Sequence, residues 1–226
     1  MKIVSLMILF FAGVAQMHAS LGNWLMYFGN NPITSNVSLW NEIQYRDFTF
    51  AGDMNQLLMR SGINYIPNEH SQYMLGYAYI LTSPSDDSFA FPQNTYKLFS
   101  LPAEHRIFQQ VLFKKTSNTH VVQHRFRLEE RYIADKDLQF RFRYFVSGMF
   151  SLTKQQLQEK AAYGSVYSEV FLNLQGSTFD RLRVYGALGY QWSKHIRTEC
   201  GFMTQILPNE IQNQLQFAIF TNAPWF

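Results

Sequence analysis

Along most of this chain, apolar and polar residues alternate one by one, which is the pattern of β-strands with two different faces. The clearest example is residues 124–145, HRFRLEERYIADKDLQFRFRYF, where arginines recur at even spacings and would be scattered around a helix. We interpret this stretch as a β-hairpin with a polar break at residues 134–137. One face of the ribbon carries Phe126, Phe140 and Phe142, and the other face carries arginine.

Eleven segments show this alternation, with turn-forming residues between them. They are Trp24–Phe28, Val37–Arg46, Met54–Tyr65, Gln72–Ile80, Arg106–Phe113, Val121–Tyr132, Leu138–Val146, Tyr163–Asn173, Arg181–Tyr190, Ile196–Gln205 and Gln214–Phe220. The pattern predicts one all-β domain, an antiparallel up-and-down β-barrel. Single-chain bacterial barrels have even strand numbers, which keeps both termini on one side of the membrane. We therefore predict ten strands from Val37 onward, with Trp24–Phe28 as a lead-in, or twelve strands as the alternative.

The first residues have the layout of a secretory signal peptide. Lys2 precedes an apolar run that ends near Val14, and small residues follow at Ala15 and Ala19. We predict a signal peptide over residues 1–19, with cleavage after Ala15 as the alternative, and a single domain over residues 20–226. The only cysteine, Cys200, leaves no intramolecular disulfide and no lipid attachment point after the signal.

Composition narrows the class of protein. Charged residues make up 15% of the chain and aromatic residues 17%, whereas soluble domains usually contain about 25% charged residues. After the signal no apolar run is long enough for a spanning helix, so a helical membrane protein is excluded. The net charge of +3, without a basic cluster beside exposed aromatics, gives no reason to expect nucleic-acid binding.

All but one of the eleven arginines fall in the polar register of the predicted strands, whereas the lysines after the signal lie at strand ends, turns or loops. A water-facing sheet would carry lysine as well, and arginine is preferred where charges are crowded and partly dehydrated. We therefore predict a lumen filled with Arg/Glu pairs. The predicted network comprises Glu42, Arg46, Arg60, Arg125, Arg127, Glu129, Arg131, Arg141, Arg143, Glu169, Arg181, Arg183, Arg197 and Glu199.

The opposite register is aliphatic near the middle of the strands and rich in Tyr, Trp and Phe near their ends. This distribution is typical of a lipid-facing belt with aromatic girdles, so we predict that the barrel crosses a membrane. The alternative is a soluble periplasmic β-barrel binding protein with the apolar face as its core. In the membrane interpretation, the irregular segment 81–103 is a long extracellular loop.

The stretches NWLMYFGN, SLWNEIQYR, QLLMRSGINY, EHRIFQQ, HRFRLEERY, FRFRYF and FDRLRVYGALGYQ resemble an uncharacterised family of Gram-negative outer-membrane barrels, domain of unknown function 2490. The resemblance covers nearly all of the chain after the signal. It implies the fold and the outer-membrane location, and it brings no activity. The terminal Trp225 and Phe226 are similar to the aromatic signal that the barrel assembly machinery recognises. Outer-membrane lipid and that machinery are the partners we expect.

The sequence contains only weak signals for catalytic or metal-binding sites. His124 with Ser61 or Ser147 would be the elements of a lipid-modifying hydrolase, but no nucleophile motif surrounds them. His105 with His120 or His124 matches no tight ligand spacing. We predict neither catalytic residues, nor a metal site, nor a cofactor. The expected function is an integral outer-membrane barrel that is structural or a narrow channel with a preference for anions, and a hydrolase is the alternative. The sequence leaves the oligomeric state open.

Overall fold

The computed structural model describes residues 21–48, 54–83, 101–153 and 159–224. Within these ranges the chain forms eleven β-strands and no helix, so no helix there could cross a membrane. The strands are β1 (Leu21–Pro32), β2 (Val37–Asp47), β3 (Met54–Asn68), β4 (Ser71–Thr82), β5 (Ala103–Thr116), β6 (His120–Ile133), β7 (Gln139–Ser151), β8 (Ala161–Asn173), β9 (Phe179–Gln191), β10 (Ile196–Ile206) and β11 (Ile211–Thr221).

Three predictions concern residues outside the described ranges. The predicted signal peptide, 1–19, is one of them. Most of the predicted long loop, 81–103, and the terminal aromatic pair, Trp225 and Phe226, are the others. The ends of that loop are described, since β4 reaches Thr82 and β5 begins at Ala103.

The eleven strands form a closed barrel in which each strand pairs with its sequence neighbours. All ten consecutive pairs are antiparallel, as the alternating pattern predicted, and β1 closes the barrel by pairing in parallel with β11. The predicted counts of ten and twelve strands are therefore wrong. The segment Trp24–Phe28 belongs to β1, a full barrel strand, and is not a lead-in.

The parallel seam has a physical reason. Without β1, the facing edges of β2 and β11 would each present unpaired backbone groups or have to pair with each other. β1 satisfies both edges, since nine of its residues are in register with β11 and nine with β2. The even-number rule did not anticipate this seam because it describes typical barrels and does not forbid a parallel pair, which is only slightly less stable per residue.

An odd strand number places the two ends of the barrel domain at opposite rims. We call the rim where β1 begins the N end and the rim where β11 finishes the C end. The chain connects strands at the C end after β1, β3, β5, β7 and β9, and at the N end after β2, β4, β6, β8 and β10. The prediction that both termini lie on one side is thus wrong for the barrel strands.

The barrel has a polar interior and an apolar exterior. Outward aliphatic residues are widely exposed, and examples are Leu75 at 60% and Leu188 at 62%. Inward positions include buried arginines, glutamates and glutamines, such as Arg127 at 2% and Glu129 at 1%. The alternation along the strands separates these two environments, and two apolar clusters, one around Leu58 and Phe108 and one around Trp24 and Met203, complete the interior.

Two strand glycines make room for aromatic rings inside the barrel. Gly76 on β4 faces Phe108 on β5, and a Cβ at Gly76 would lie 2.2 Å from the Cζ of that ring. Gly189 on β9 faces Tyr163 on β8, and a Cβ at Gly189 would also lie 2.2 Å from the Cζ of that ring. Large rings can therefore lie flat against the inner wall because their cross-strand neighbours have no side chain.

The parallel seam predicts a specific disulfide. In a Cys200→Ser background, Tyr27→Cys and Ile219→Cys would place two cysteines at directly paired, outward positions of β1 and β11, and oxidation should cross-link them. In the matched pair, Ile43→Cys with Ile219→Cys, β1 lies between the two strands, so their separation of about 10 Å should prevent a bond. Non-reducing mass spectrometry of the folded protein would distinguish them, and cross-linking of the second pair would indicate that β2 meets β11.

Candidate functional site: the charged lumen

The lumen has two halves that differ in packing. The half toward the N end is filled by buried side chains, among them Arg106, Glu129, Arg141, Phe171 and Met54. The half toward the C end contains a cavity of about 710 Å³, which we call the vestibule. Lys114, Lys194 and His195, near the turns of the C end, line its rim.

Glu129 on β6 is the centre of the packed half. Arg141 donates to its Oε2 through Nη2 at 2.6 Å and Nε at 3.1 Å, and Arg143 donates to its Oε1 at 2.5 Å. Arg106 donates to Oε2 at 3.5 Å, and Arg127 Nη1 lies 3.7 Å from Oε1. One carboxylate that is 1% exposed thus neutralises part of the charge of four guanidinium groups. Such a group is tolerable in a dry site only because each lone pair meets a charged donor.

Arg143 on β7 connects Glu129 to a second carboxylate. Its Nε and Nη2 donate to Glu169 Oε1 at 3.0 and 2.7 Å. Arg125 also donates to this oxygen at 2.7 Å, and Arg183 Nη1 lies 4.0 Å from Glu169 Oε2. Glu129 and Glu169 therefore belong to one continuous ionic chain that runs from the packed half into the wall of the vestibule.

The same chain extends toward the N end. Glu104 on β5 accepts hydrogen bonds from Arg106 and Arg131, both at 2.6 Å through Nε. On the opposite side, Asp180 accepts from Arg141 at 3.0 Å and from Arg181 at 3.1 Å. The carboxylates alternate with arginines along this path, so neighbouring guanidinium groups are separated by negative charge.

A separate pair lies on β2 and β3. Arg60 donates to Glu42 at 2.6 Å, and Gln44 also donates to this carboxylate. Arg46 has no carboxylate partner among the described residues: it donates to Gln44 at 2.5 Å and to Gln56 at 2.9 Å. On the inner face of β2 and β3, the arginines are therefore held in position by amide groups as well as by ion pairs.

Aromatic faces supply much of the remaining environment of the arginines. Arg46 lies 3.7 Å and Arg183 lies 5.0 Å from the ring of Trp24. Arg143 and Arg183 lie 4.4 and 4.6 Å from the ring of Phe171. A guanidinium plane can stack on an aromatic face while it donates hydrogen bonds at its edge. These contacts explain how eleven arginines fit where acidic residues are fewer.

Glu199 and Arg197, both in the predicted network, do not pair with each other by hydrogen bonds in the described structure. Glu199 accepts from the hydroxyl groups of Tyr163 at 3.1 Å and Tyr185 at 3.4 Å. Arg197 stacks on Phe220 at 4.1 Å. The arginine therefore lacks a carboxylate within salt-bridge distance among the described residues.

The structure places all fourteen predicted network residues on lumenal positions and adds others that the sequence argument omitted. Arg106, Glu104 and Asp180 belong to the ionic chain, and Gln110 accepts two hydrogen bonds from Arg127. Glu104 and Arg106 lie two residues apart in an alternating segment, so their spacing was a usable signal. The inward aromatic rings gave no such signal, since aromatic residues occur in both registers.

The candidate catalytic residues are not brought together. His124 faces outward and contacts the Tyr144 hydroxyl at 2.9 Å, whereas Ser61 donates to Asn41 at 3.0 Å with two strands, β4 and β5, between it and β6. Ser147 lines the vestibule, on the opposite face of the wall from His124. His105 contacts Tyr77 near the N end, and the described residues contain no group of three potential metal ligands.

Comparison with known proteins identifies a family for nearly all of the barrel. A family model described as a protein of unknown function, DUF2490, matches residues 21–216, which run from β1 into β11. No curated protein and no solved structure matches the chain significantly. The matched family description contains no activity, so the function has to be argued from the lumen and the outer surface.

The position of Glu129 predicts a large effect of its removal. Glu129→Gln should lower the free energy of unfolding by about 3–5 kcal/mol, because it leaves several buried arginines without their shared carboxylate. Glu130→Gln is the matched control: Glu130 faces outward and accepts one hydrogen bond from Gln109, so the change should stay within about 1 kcal/mol. Urea unfolding of the detergent-solubilised proteins would measure both. Equal effects would contradict an ionic core.

Proposed function

This chain belongs to the DUF2490 family of proteins of unknown function, and we propose that it is an integral outer-membrane β-barrel of a Gram-negative bacterium with a closed lumen. The observation that carries the proposal is the inverted distribution of polarity. Charged side chains are buried inside, whereas residues such as Ile63, Leu75 and Leu188 are about half exposed or more on the outside. Soluble proteins rarely expose an apolar surface that continues around the molecule.

The dimensions of the wall fit a bilayer. The strands have 11 to 15 residues, and a tilted transmembrane strand needs about 9–11 residues. Large aromatic residues are exposed near both rims: Tyr65, Tyr73 and Trp192 near the C end, and Tyr132 and Phe179 near the N end. Rings at these heights are favourable at the two membrane–water interfaces.

The turn lengths support one orientation. The connections at the C end range from two residues, Glu69–His70, to nine, 152–160, whereas the connection from β4 to β5 at the N end, residues 83–102, is the longest in the barrel. Outer-membrane barrels have short periplasmic turns and longer extracellular loops. In this orientation the vestibule opens to the periplasm, and β1 starts on the extracellular side.

A closed barrel fits the lumen better than a channel does. Glu129, Arg106 and Arg141 are buried and mutually bonded across the packed half, and the cavity lining contains none of them. An ion crossing the barrel would have to break several charge-assisted hydrogen bonds. The role that follows is that of a stable barrel with one accessible, positively charged compartment, rather than a steadily conducting pore.

The two other candidate functions receive less support. A hydrolase would need a nucleophile beside a base, and His124 lies apart from Ser61 and Ser147. A soluble binding protein would need a second layer to cover the apolar wall, and no part of the chain that the structure describes lies over Leu75 or Leu188, which are about 60% exposed. Both alternatives therefore conflict with the arrangement of the described residues.

Membrane location can be tested by fractionation. We expect the protein to sediment with outer membranes and to remain there after a carbonate wash. The unheated protein should migrate differently on a gel from the boiled protein, because a closed barrel resists detergent unfolding. Recovery as a soluble periplasmic protein with identical mobility in both lanes would contradict the proposal.

A closed lumen predicts electrical silence. The purified protein, reconstituted in a planar bilayer, should show no steady conductance, because the ionic chain fills the N-end half. Insertion can be verified independently by protease protection of the reconstituted protein. Discrete anion-selective openings would show that the barrel is a channel, and hydrolysis of added phospholipid without conductance would favour the hydrolase.

A further inference from the structure

We propose that the vestibule is a binding site for a small organic anion that carries a carboxylate or phosphate group beside an apolar body. The vestibule lies beside the ionic chain: Arg125 and Arg143 belong to both, whereas Glu129, Arg106 and Arg141 do not line the cavity. The inference uses the geometry of the lumen alone, so it holds whether or not the barrel lies in the outer membrane. The volume, about 710 Å³, is within the range of roughly 300–1,000 Å³ that is usual for small-molecule sites.

The first argument is unbalanced charge. Seven arginines and two lysines line the vestibule, against four glutamates. The packed half differs, since its arginines alternate with Glu104, Glu129 and Asp180. An excess of cations around one enclosed space raises the local concentration of anions and favours their binding.

The second argument is a set of hydrogen-bond donors without acceptors. Arg127 Nη1 and Gln216 Nε2 are buried atoms that have no hydrogen-bond partner among the described residues, and their side chains belong to residues 2% and 1% exposed. The Nε atoms of Arg125 and Arg197 are in the same condition. All four residues line the vestibule. Buried donors are nearly always satisfied in folded proteins, so four of them in residues that line one cavity show that the protein itself leaves hydrogen-bonding capacity of positive and amide groups unused around this space.

The pairing of these arginines shows why they remain available. Arg127 uses Nε and Nη2 on Gln110, a neutral acceptor, while its Nη1 lies 3.7 Å from Glu129 Oε1, too far for a hydrogen bond. Arg197 stacks on Phe220 and pairs with no carboxylate among the described residues. Arginine held in this way is pre-oriented for a carboxylate or phosphate, because its position is fixed while hydrogen atoms stay free.

The third argument concerns the body of the ligand. Trp40, Phe145, Tyr167 and Phe220 also line the vestibule, so the space between the cationic groups has aromatic walls. An inorganic anion would leave these walls in contact with water only. An anion with an aromatic or aliphatic body would bury them while its oxygens meet the arginines.

Isothermal titration calorimetry on the full-length mature protein in detergent tests the site, with phenyl phosphate as the probe and phenol as the neutral control. We expect saturable binding of phenyl phosphate that weakens with rising ionic strength, and much weaker binding of phenol. Inorganic phosphate should bind more weakly than phenyl phosphate, because it lacks the apolar body. Absence of saturable binding, or equal binding of phenol, would overturn the proposal.

Variants locate the site. Arg197→Gln should weaken phenyl phosphate binding at least tenfold, and Arg125→Gln should do the same. Arg131→Gln is the matched control, because Arg131 is a lumenal arginine that pairs with Glu104 outside the vestibule. Gel mobility before heating would verify that each variant is folded. If Arg125→Gln does not fold, the comparison of Arg197→Gln with Arg131→Gln tests the location of the site. Equal weakening by all three variants would show diffuse electrostatic attraction and would contradict a defined site.

Discussion

The structure depends on the burial of arginine inside a barrel whose N-end half is too tightly packed to hydrate it. Eleven arginines share the lumen, and isolated charges there would cost several kcal/mol each. Glu129, Glu169 and Glu104 lower this cost by accepting hydrogen bonds from two or more guanidinium groups each. Their arrangement as a chain across five strands, β5 to β9, ties together most of one side of the wall.

Carboxylates alone do not balance the lumen, and aromatic rings and amides complete the environment. Trp24 contacts Arg46 and Arg183, and Phe171 contacts Arg143 and Arg183. Phe108 contacts Arg127 in the same way, and it fits against the wall because Gly76 faces it on the neighbouring strand. The carboxylates do not balance all of the arginines, and the excess positive charge is concentrated at the vestibule, where seven arginines and two lysines face four glutamates.

The alternating pattern marked all eleven segments that form strands, because apolar residues recur at their outward positions, although we assigned one of these segments, Trp24–Phe28, to a lead-in. The closure of the barrel was not predictable in the same way. Pairing between β1 and β11 depends on backbone hydrogen bonds between segments about 190 residues apart, and no local pattern specifies whether such a seam is parallel. We therefore relied on the even strand number of typical bacterial barrels, and this rule gave the wrong number of strands.

The charged positions were largely predictable, whereas their partners were not. Even spacing identified Arg125, Arg127, Arg141 and Arg143, and the structure joins them to Glu129 and Glu169. Partner choice depends on strand stagger across the lumen, which a sequence does not contain. For that reason Glu199 meets tyrosine hydroxyl groups and Arg46 meets amides.

The central claim, that the apolar exterior contacts lipid while charge is enclosed, can be tested at the single native cysteine. Cys200 is exposed on the outer wall, and its register partners are Leu188 and Phe217. A nitroxide spin label attached to Cys200 in the reconstituted protein should be readily accessible to oxygen, which partitions into lipid, and poorly accessible to a water-soluble nickel chelate. High accessibility to the nickel chelate with low accessibility to oxygen would contradict the account.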